Sequence, residues 1–319
     1  MAVQCAVLNT GATIPLLGLG TGSDGVLSVD ERKAAVSAAI EVGYRHFDTA
    51  KVYNSEGFLG EALKDAMEAG LVKREDLFVT SKLWCTDAYP EGVLPALRNS
   101  LSALQLEYLD LYLIHWPVRF KEGAAFDPKP DELMTLDLQG TWRALEACVR
   151  QGLVRAIGVS NFSSKKIMEM LEFAEIPPAV NQVEMHPKWQ QRSLRETCKK
   201  ANVHVSAWSP LGAPLMYWGT PEILNDPIIK DIASKHSKTP AQVLLRWGID
   251  NGASVIAKSF NKKRMVENLD VFGWHLTDED HHRISGFEQK KNIDGSFICS
   301  PVSGPYKSVE DLWDGEFGI

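Results

Sequence analysis

Residues 16–32 read LLGLGTGSDGVLSVDER, and the point at which a helix begins in this stretch separates two architectures. Leu16–Thr21 is a short apolar run of the kind that forms a buried strand. The glycines beyond it, Gly20-x-Gly22-x-x-Gly25, with Asp48 roughly 20 residues further on, satisfy the letter of the dinucleotide fingerprint of an open, doubly wound sheet. In such a turn the helix starts inside the glycine run, so that its free N–H groups meet a pyrophosphate. Here Ser28-x-x-Glu31 is a capping box that delays the helix to Val29, beyond all three glycines. The run therefore reads as a strand-end loop.

The same alternation of strand and helix continues outward. Strands are expected at Leu16–Thr21, Arg45–Ala50, Leu77–Lys82, Leu109–His115, Arg155–Asn161, Ala179–Glu184, His204–Pro210 and Ser254–Ser259. Helical patterns fall between them, among them Val29–Val42, Glu56–Ala69, Pro90–Leu104, Gln139–Gln151 and Lys165–Ala174. A further helix start stands at Thr239-Pro240-x-Gln242, with proline at the first helical position. This alternation means a parallel sheet with helical crossovers. Eight strands favour a closed α/β architecture, a single (β/α)8 TIM barrel spanning residues 1–319, over the open sheet. Ala6–Leu8 and Ala12–Ile14 flank Asn9-Thr10-Gly11 and read as an N-terminal β-hairpin that would plug the bottom of the barrel. Trp116–Leu136, Leu211–Asn225 and the C-terminal tail after Phe287 read as irregular excursions that would enclose a substrate.

Bulk properties narrow the partners. A formal net charge of −7 speaks against general affinity for nucleic acid or an anionic membrane. No run approaches the roughly 18 apolar residues of a membrane-spanning helix, and Met1–Thr10 lacks the basic and apolar parts of a secretory leader. Cys5, Cys85, Cys148, Cys198 and Cys299 are scattered, odd in number and without a C-x-x-C pair. That usage fits a reducing compartment and neither a disulfide frame nor a metal site. A cytoplasmic monomer acting on a small molecule is expected.

The active site of a parallel barrel lies at the C-terminal ends of its strands. Those ends carry Asp48, Lys82, His115, Ser160, Asn161, Gln182, Ser209 and Lys258, with Tyr53 in the loop after Asp48. A free phenol has a pKa near 10 and is a sluggish acid at neutral pH. Lys82 would stabilise the phenolate and lower that pKa, Asp48 would hold the lysine charged, and His115 would orient a carbonyl oxygen. Each residue alone also has a structural reading as a cap, turn former or packed histidine. Their joint placement points to carbonyl chemistry.

Lys258-Ser259-Phe260-Asn261-Lys262-Lys263-Arg264 is a basic cluster in an acidic chain, after the last strand and at the start of a helix. Elsewhere it would read as a solvated face, but this position favours a phosphate. Trp84, Trp116 and Trp208 fall just after strands or at a strand end and read as walls of the site. Trp218 and Trp189 read equally as site and as packing.

These residues resemble the aldo-keto reductase family along nearly the whole chain. Gly43-Tyr44-Arg45-His46-Phe47-Asp48-Thr49-Ala50, with Tyr53, Glu56 and Gly60, is similar to the family's first signature. Lys82 in Thr80-Ser81-Lys82-Leu83-Trp84 and His115 in Leu113-Ile114-His115-Trp116-Pro117 are similar to its other catalytic positions. The resemblance implies NADPH/NADP+ as cofactor and a catalytic set of Asp48, Tyr53, Lys82 and His115. It further implies that Ser160, Asn161 and Gln182 hold the carboxamide, with Trp208 stacked on the nicotinamide. Gly20, Thr21, Gly22, Asp48, Ser209 and Leu211 would also contact the cofactor. Lys258, Ser259, Arg264, Glu267 and Asn268 would surround the adenosine 2′-phosphate. Trp84, Trp116 and Trp218 would line the substrate pocket. Three positions depart from the pattern: Gly22 stands where many members carry Trp, Trp208 where Tyr is commoner, and Ala257 where Pro is frequent. The ending Gly304-Pro305-Tyr306-Lys307-Ser308 through Asp311-Leu312-Trp313-Asp314-Gly315-Glu316 is similar to plant members, including stress-linked aldehyde reductases and codeinone, chalcone and deoxymugineic acid types.

The resemblance leaves three readings: a broad, detoxifying aldehyde and ketone reductase, a dedicated ketone or imine reductase of plant specialised metabolism, and a non-catalytic NADPH-sensing subunit.

Overall fold

Ser28 and Glu31 cap each other as the sequence predicts: Glu31 N donates to Ser28 Oγ at 3.2 Å, and Ser28 N to Glu31 Oε2 at 2.8 Å. In this computed structural model, which describes residues 4–22, 27–214, 216 and 218–316, the helix accordingly runs Val29–Val42. Gly25, the last glycine of the Gly20-x-Gly22-x-x-Gly25 run, lies outside the described residues.

In chain order the strands are β1 Cys5–Val7, β2 Thr13–Pro15, β3 Leu17–Gly20, β4 His46–Asp48, β5 Phe78–Leu83, β6 Leu109–Ile114, β7 Arg119–Phe120, β8 Leu133–Met134, β9 Val154–Ser160, β10 Val180–Glu184, β11 His204–Trp208 and β12 Ser254–Ala257. The helices are α1 Val29–Val42, α2 Glu56–Glu68, α3 Pro90–Leu104, α4 Leu138–Arg150, α5 Ser164–Leu171, α6 Arg192–Lys200, α7 Glu222–Asn225, α8 Pro227–Lys235, α9 Pro240–Asp250, α10 Lys262–Leu269, α11 Asp278–Ser285 and α12 Val309–Trp313. Strands β3, β4, β5, β6, β9, β10, β11 and β12 pair in parallel and close into a barrel, β12 returning to β3. All eight strands expected from the sequence are present, and closure excludes the open sheet.

The hairpin β1–β2 pairs antiparallel and buries Leu8 and Ile14 against Phe78, Leu111, Leu113, Ala156 and Val180. It closes the N-terminal end of the barrel and leaves the opposite end for chemistry. Thr239 and Gln242 form the second capping box, so α9 begins at Pro240. Gly60 sits where α2 crosses the end of α3: a Cβ there would lie 2.5 Å from the Leu104 backbone, so only glycine permits the approach. The Trp116–Leu136 excursion contains the small antiparallel pair β7–β8. The tail carries α12, which lies over the mouth and is tied to α5. Lys166 Nζ donates to Leu312 O at 2.7 Å, and Ser164 N donates to Glu316 Oε2 at 3.0 Å. Among the described residues no helix is long and apolar enough to cross a membrane.

Candidate active site

Parallel closure brings the C-terminal ends of β4, β5 and β6 side by side, with Asp48 opposite Thr80 and Lys82 opposite Leu113. Lys82 is fully buried and donates to Asp48 Oδ1 at 2.7 Å and to Thr49 O at 2.9 Å. The other carboxylate oxygen of Asp48 accepts from Gln182 Nε2 at 2.7 Å, across the barrel from β10. Tyr53 ends a single 3-10 turn, Lys51–Tyr53, that follows β4. Its ring centre lies 4.9 Å from the Lys82 ammonium, and its hydroxyl 3.3 Å from His115 Nε2. Trp84 meets the His115 ring edge-on at 5.1 Å. The four residues expected to form the acid cluster are thus one group.

The electrostatics correct one expectation. Burial raises the Tyr53 pKa, and the opposing pull of Lys82 is too small to reverse it, so the phenol sits above its ordinary value rather than below. A phenol surrounded largely by protein loses more phenolate solvation than one ammonium restores. Burial on its own pulls Lys82 down, yet Asp48 and the Tyr53 oxygen outweigh it, and the amine is held above its ordinary value as an ammonium. Burial and Lys82 push His115 well below its ordinary value, so its imidazole is neutral.

A cleft of about 1030 Å³ extends from this cluster across the barrel mouth. Along one wall Ser160 Oγ donates to Gln182 O at 2.8 Å, Asn161 Nδ2 to His115 O at 3.0 Å, and Trp208 Nε1 to Asn161 Oδ1 at 3.1 Å. The indole N–H of Trp208 thus ties that ring to the amide beside it, and Trp218 meets it edge-on at 5.8 Å. Asn161 and Ser209, each just beyond a strand end, take left-handed backbone conformations with φ of 62° and 53°. A serine in that region is strained, and such strain concentrates at ligand sites.

At the far end Lys258, Ser259, Arg264, Glu267 and Asn268 line the same cleft, around the start of α10, where Asn261 caps Arg264 N at 3.1 Å. Lys258 Nζ reaches Met216 Sδ, in the Leu211–Asn225 excursion, at 3.0 Å. Gly20, Gly22, Leu211 and Ala257 also line it. Gly22 leaves the Tyr53 ring uncovered: a Cβ there would lie 3.5 Å from that ring.

Thr21 departs from the expected arrangement. It is fully buried, and its hydroxyl bonds Asp48 O at 3.0 Å and Ser55 Oγ at 2.8 Å, so it braces the wall from behind. Trp189 is buried away from the cleft, whereas Trp84, Trp116 and Trp218 line it. Phe126 and Phe297, which the sequence does not single out, complete the apolar wall. Trp84 stacks on Phe126 at 5.6 Å, Phe126 on Phe297 at 5.9 Å, and Trp116 meets Phe297 edge-on at 5.2 Å. The only sequence signal for them is their place in two of the excursions.

A half-buried phenol, an ammonium and a neutral imidazole at the mouth of a parallel barrel, opening into a long polar-to-aromatic cleft, define a barrel enzyme for carbonyl chemistry. Residues 16–289 match the family model described as Aldo/keto reductase family, and the chain belongs to that family. It is similar to Aldo-keto reductase family 4 member C11 of Arabidopsis thaliana, 48% identical over 311 residues covering 97% of each chain. It is also similar to Deoxymugineic acid synthase 1 of Oryza sativa subsp. japonica, 49% identical over 310 residues and again 97% of each. The 7-acetyl-epi-neemfruitin B aldo-keto reductase of Melia azedarach is 48% identical over 309 residues, 97% of this chain and 96% of that one. Among solved structures, the Bombyx mori aldo-keto reductase in complex with NADP superposes with a TM-score of 0.87 at 38% identity, covering 96% of this chain and 98% of the other.

Proposed function

We propose that this protein is an NADPH-dependent oxidoreductase that reduces aldehydes and ketones to alcohols, with Tyr53 as the proton donor. The observation that carries the reading is the placing of the Tyr53 hydroxyl beside His115 Nε2, with the Asp48-bound Lys82 ammonium behind the ring. The solved relative bound to NADP and the donor set of the cleft support the cofactor. Lys258, Ser259 and Arg264 supply charge and hydroxyl for a phosphate at one end. Ser160, Asn161 and Gln182 supply amide and hydroxyl groups for a carboxamide at the other, with Trp208 as a stacking surface. Gln182 Nε2 is engaged by Asp48, which leaves its carbonyl oxygen to accept from a ligand amide.

When bound, the reduced nicotinamide supplies the hydride. The raised pKa keeps Tyr53 protonated at neutral pH, ready to give its proton to a substrate oxygen. The phenolate left behind is stabilised by Lys82, whose charge Asp48 maintains. Neutral His115, beside the same hydroxyl, orients the carbonyl.

The substrate end is walled by Trp84, Trp116, Phe126 and Phe297, and its acidic groups are Asp127 and Asp294. The cations Lys258 and Arg264 stand at the other end. This favours uncharged, apolar carbonyl compounds, and a broad profile that includes reactive or foreign aldehydes follows from an open aromatic wall without a fixed counter-charge. A dedicated reductase of plant specialised metabolism is the second reading. It is favoured by the relatives named for single products, Deoxymugineic acid synthase 1 and the neemfruitin B reductase. Turnover measured across small aldehydes and bulky ketones separates the two: a flat profile supports the first, a single preferred ketone the second. The whole chain is read as one domain in a plant cytoplasmic monomer, consistent with the scattered, odd-numbered cysteines and with plant relatives. A non-catalytic sensing subunit would require Tyr53→Phe to leave NADPH consumption unchanged.

A further inference from the structure

Lys291 is a buried amine that the chemistry above does not use. It is 7% exposed, does not line the cleft, and its Nζ has no hydrogen-bond partner among the described residues. Instead the ammonium lies 3.2 Å from the centre of the Trp313 ring and 5.5 Å from that of Trp189. An ion left without an acceptor is costly to bury, and an indole face is the partner that offsets part of that cost. Burial pushes the amine down to about 7, against the pull of Glu184 and Asp294, so near neutral pH it is charged in part and the indole contact favours the charged form. For stability alone an apolar side chain would serve better at this place.

What the contact holds is the end of the tail. Trp313 closes α12, and its Nε1 donates to Asp294 O at 2.6 Å. Its ring packs on Trp116 at 6.3 Å, and Trp116 in turn packs on Phe297. Trp116 and Phe297 are two of the aromatic walls of the substrate end. Immediately beyond Lys291, Asn292 N and Ile293 N donate to the buried Glu184 at 2.7 and 3.1 Å, so the start of the tail is anchored to β10. Lys291 therefore joins the anchored start of the tail to its returning helix.

We infer that Lys291 is a positioning residue for substrate: by holding the Trp313 face it sets the place of Trp116 and Phe297, and so the fit of a bulky carbonyl compound. The inference rests on the functional reading above only for the kinetic part of its test.

The test compares the wild type with Lys291→Met and Lys291→Arg, using NADPH, propanal and 2-naphthaldehyde. Lys291→Met is expected to raise KM for the naphthaldehyde about five- to tenfold, the loss of one desolvated cation–aromatic contact. It should leave kcat with propanal and the Kd for NADPH unchanged, without lowering the melting temperature. Lys291→Arg, which keeps the charge, should recover part of the KM. Trp313→Leu removes the other partner and should raise the same KM. In hydrogen exchange, residues 309–316 should exchange faster in Lys291→Met, a readout that needs no turnover. Unchanged KM in both Lys291→Met and Trp313→Leu would overturn the inference. So would unchanged tail exchange, or a Lys291→Met variant that melts early or cannot be purified, since any of these assigns Lys291 to the fold or to nothing. A wild type that oxidises NADPH with neither aldehyde, yet shows the exchange difference, would sink the functional reading and leave the clip standing.

Discussion

Asp48 holds the Lys82 ammonium at 2.7 Å in a place where the lysine side chain has no exposed surface. A buried ion pair of this kind is costly to break from one side, because the remaining charge is left without compensation. Asp48→Asn is predicted to destabilise the protein by about 3–5 kcal/mol. It should also lower kcat by on the order of 100-fold, since Lys82 would lose the carboxylate that keeps it charged. Calorimetry and steady-state kinetics on one preparation read both effects. A variant that melts like the wild type would contradict this account of the pair.

Lys258 and Arg264 give the cofactor preference. Alanine at either position should weaken NADPH about 10- to 100-fold, the range expected for a lost hydrogen bond to a charged group. NADH, which lacks the 2′-phosphate, should be nearly unaffected. Fluorescence titration with both cofactors measures the difference, and equal losses would refute the assignment of that end of the cleft.

Gly22 leaves the Tyr53 ring open, and a methyl group at that position would meet the ring only at ordinary contact distance. Gly22→Ala should therefore be nearly neutral. Gly22→Trp should cover the ring and cut kcat/KM for bulky ketones by about tenfold or more while sparing small aldehydes, a loss on the scale of one or more methylene contacts in an apolar pocket. Equal effects on both substrate classes would show that the opening does not face the substrate.

The strands and the two capping boxes are legible in the sequence because each is a local pattern: a short apolar run, or a polar cap three residues before Glu31 or Gln242. Strand-end residues such as Asp48 and Lys82 are legible too, because closure of a parallel barrel fixes which end carries the site. The rest depends on the tertiary fold. Phe126 and Phe297 sit more than 150 residues apart in irregular segments and meet only when the tail returns over the mouth. The pair β7–β8 is too short to show a period. The Tyr53 shift runs opposite to the sequence-based expectation, because it is a balance between burial and one ammonium, and burial cannot be weighed from composition. Thr21 has the position of a cofactor contact, but its hydroxyl turns inward to Asp48 O and Ser55.

The buried His46 and the half-buried His204, both at the closed end of the barrel, set an acid limit on stability. Burial pushes His46 and His204 each down to about 4. Between about pH 6.5, the ordinary histidine value, and pH 4 the unfolded chain binds protons that the folded chain does not. Stability is therefore fully present above pH 6.5 and is lost as the pH falls toward 4. His46 contributes about 3 kcal/mol at most. Melting temperatures from pH 8 to 4 should fall on the acid side, and His46→Asn should flatten that fall. A pH-independent midpoint would contradict the burial of these rings.

The Tyr53 hydroxyl as proton donor is tested most directly by single-turnover NADPH oxidation in Tyr53→Phe with an aldehyde in excess. The rate should fall by about 100- to 10,000-fold, the usual contribution of a positioned acid, with the Kd for NADPH unchanged. A variant that oxidises NADPH at the wild-type rate would contradict it.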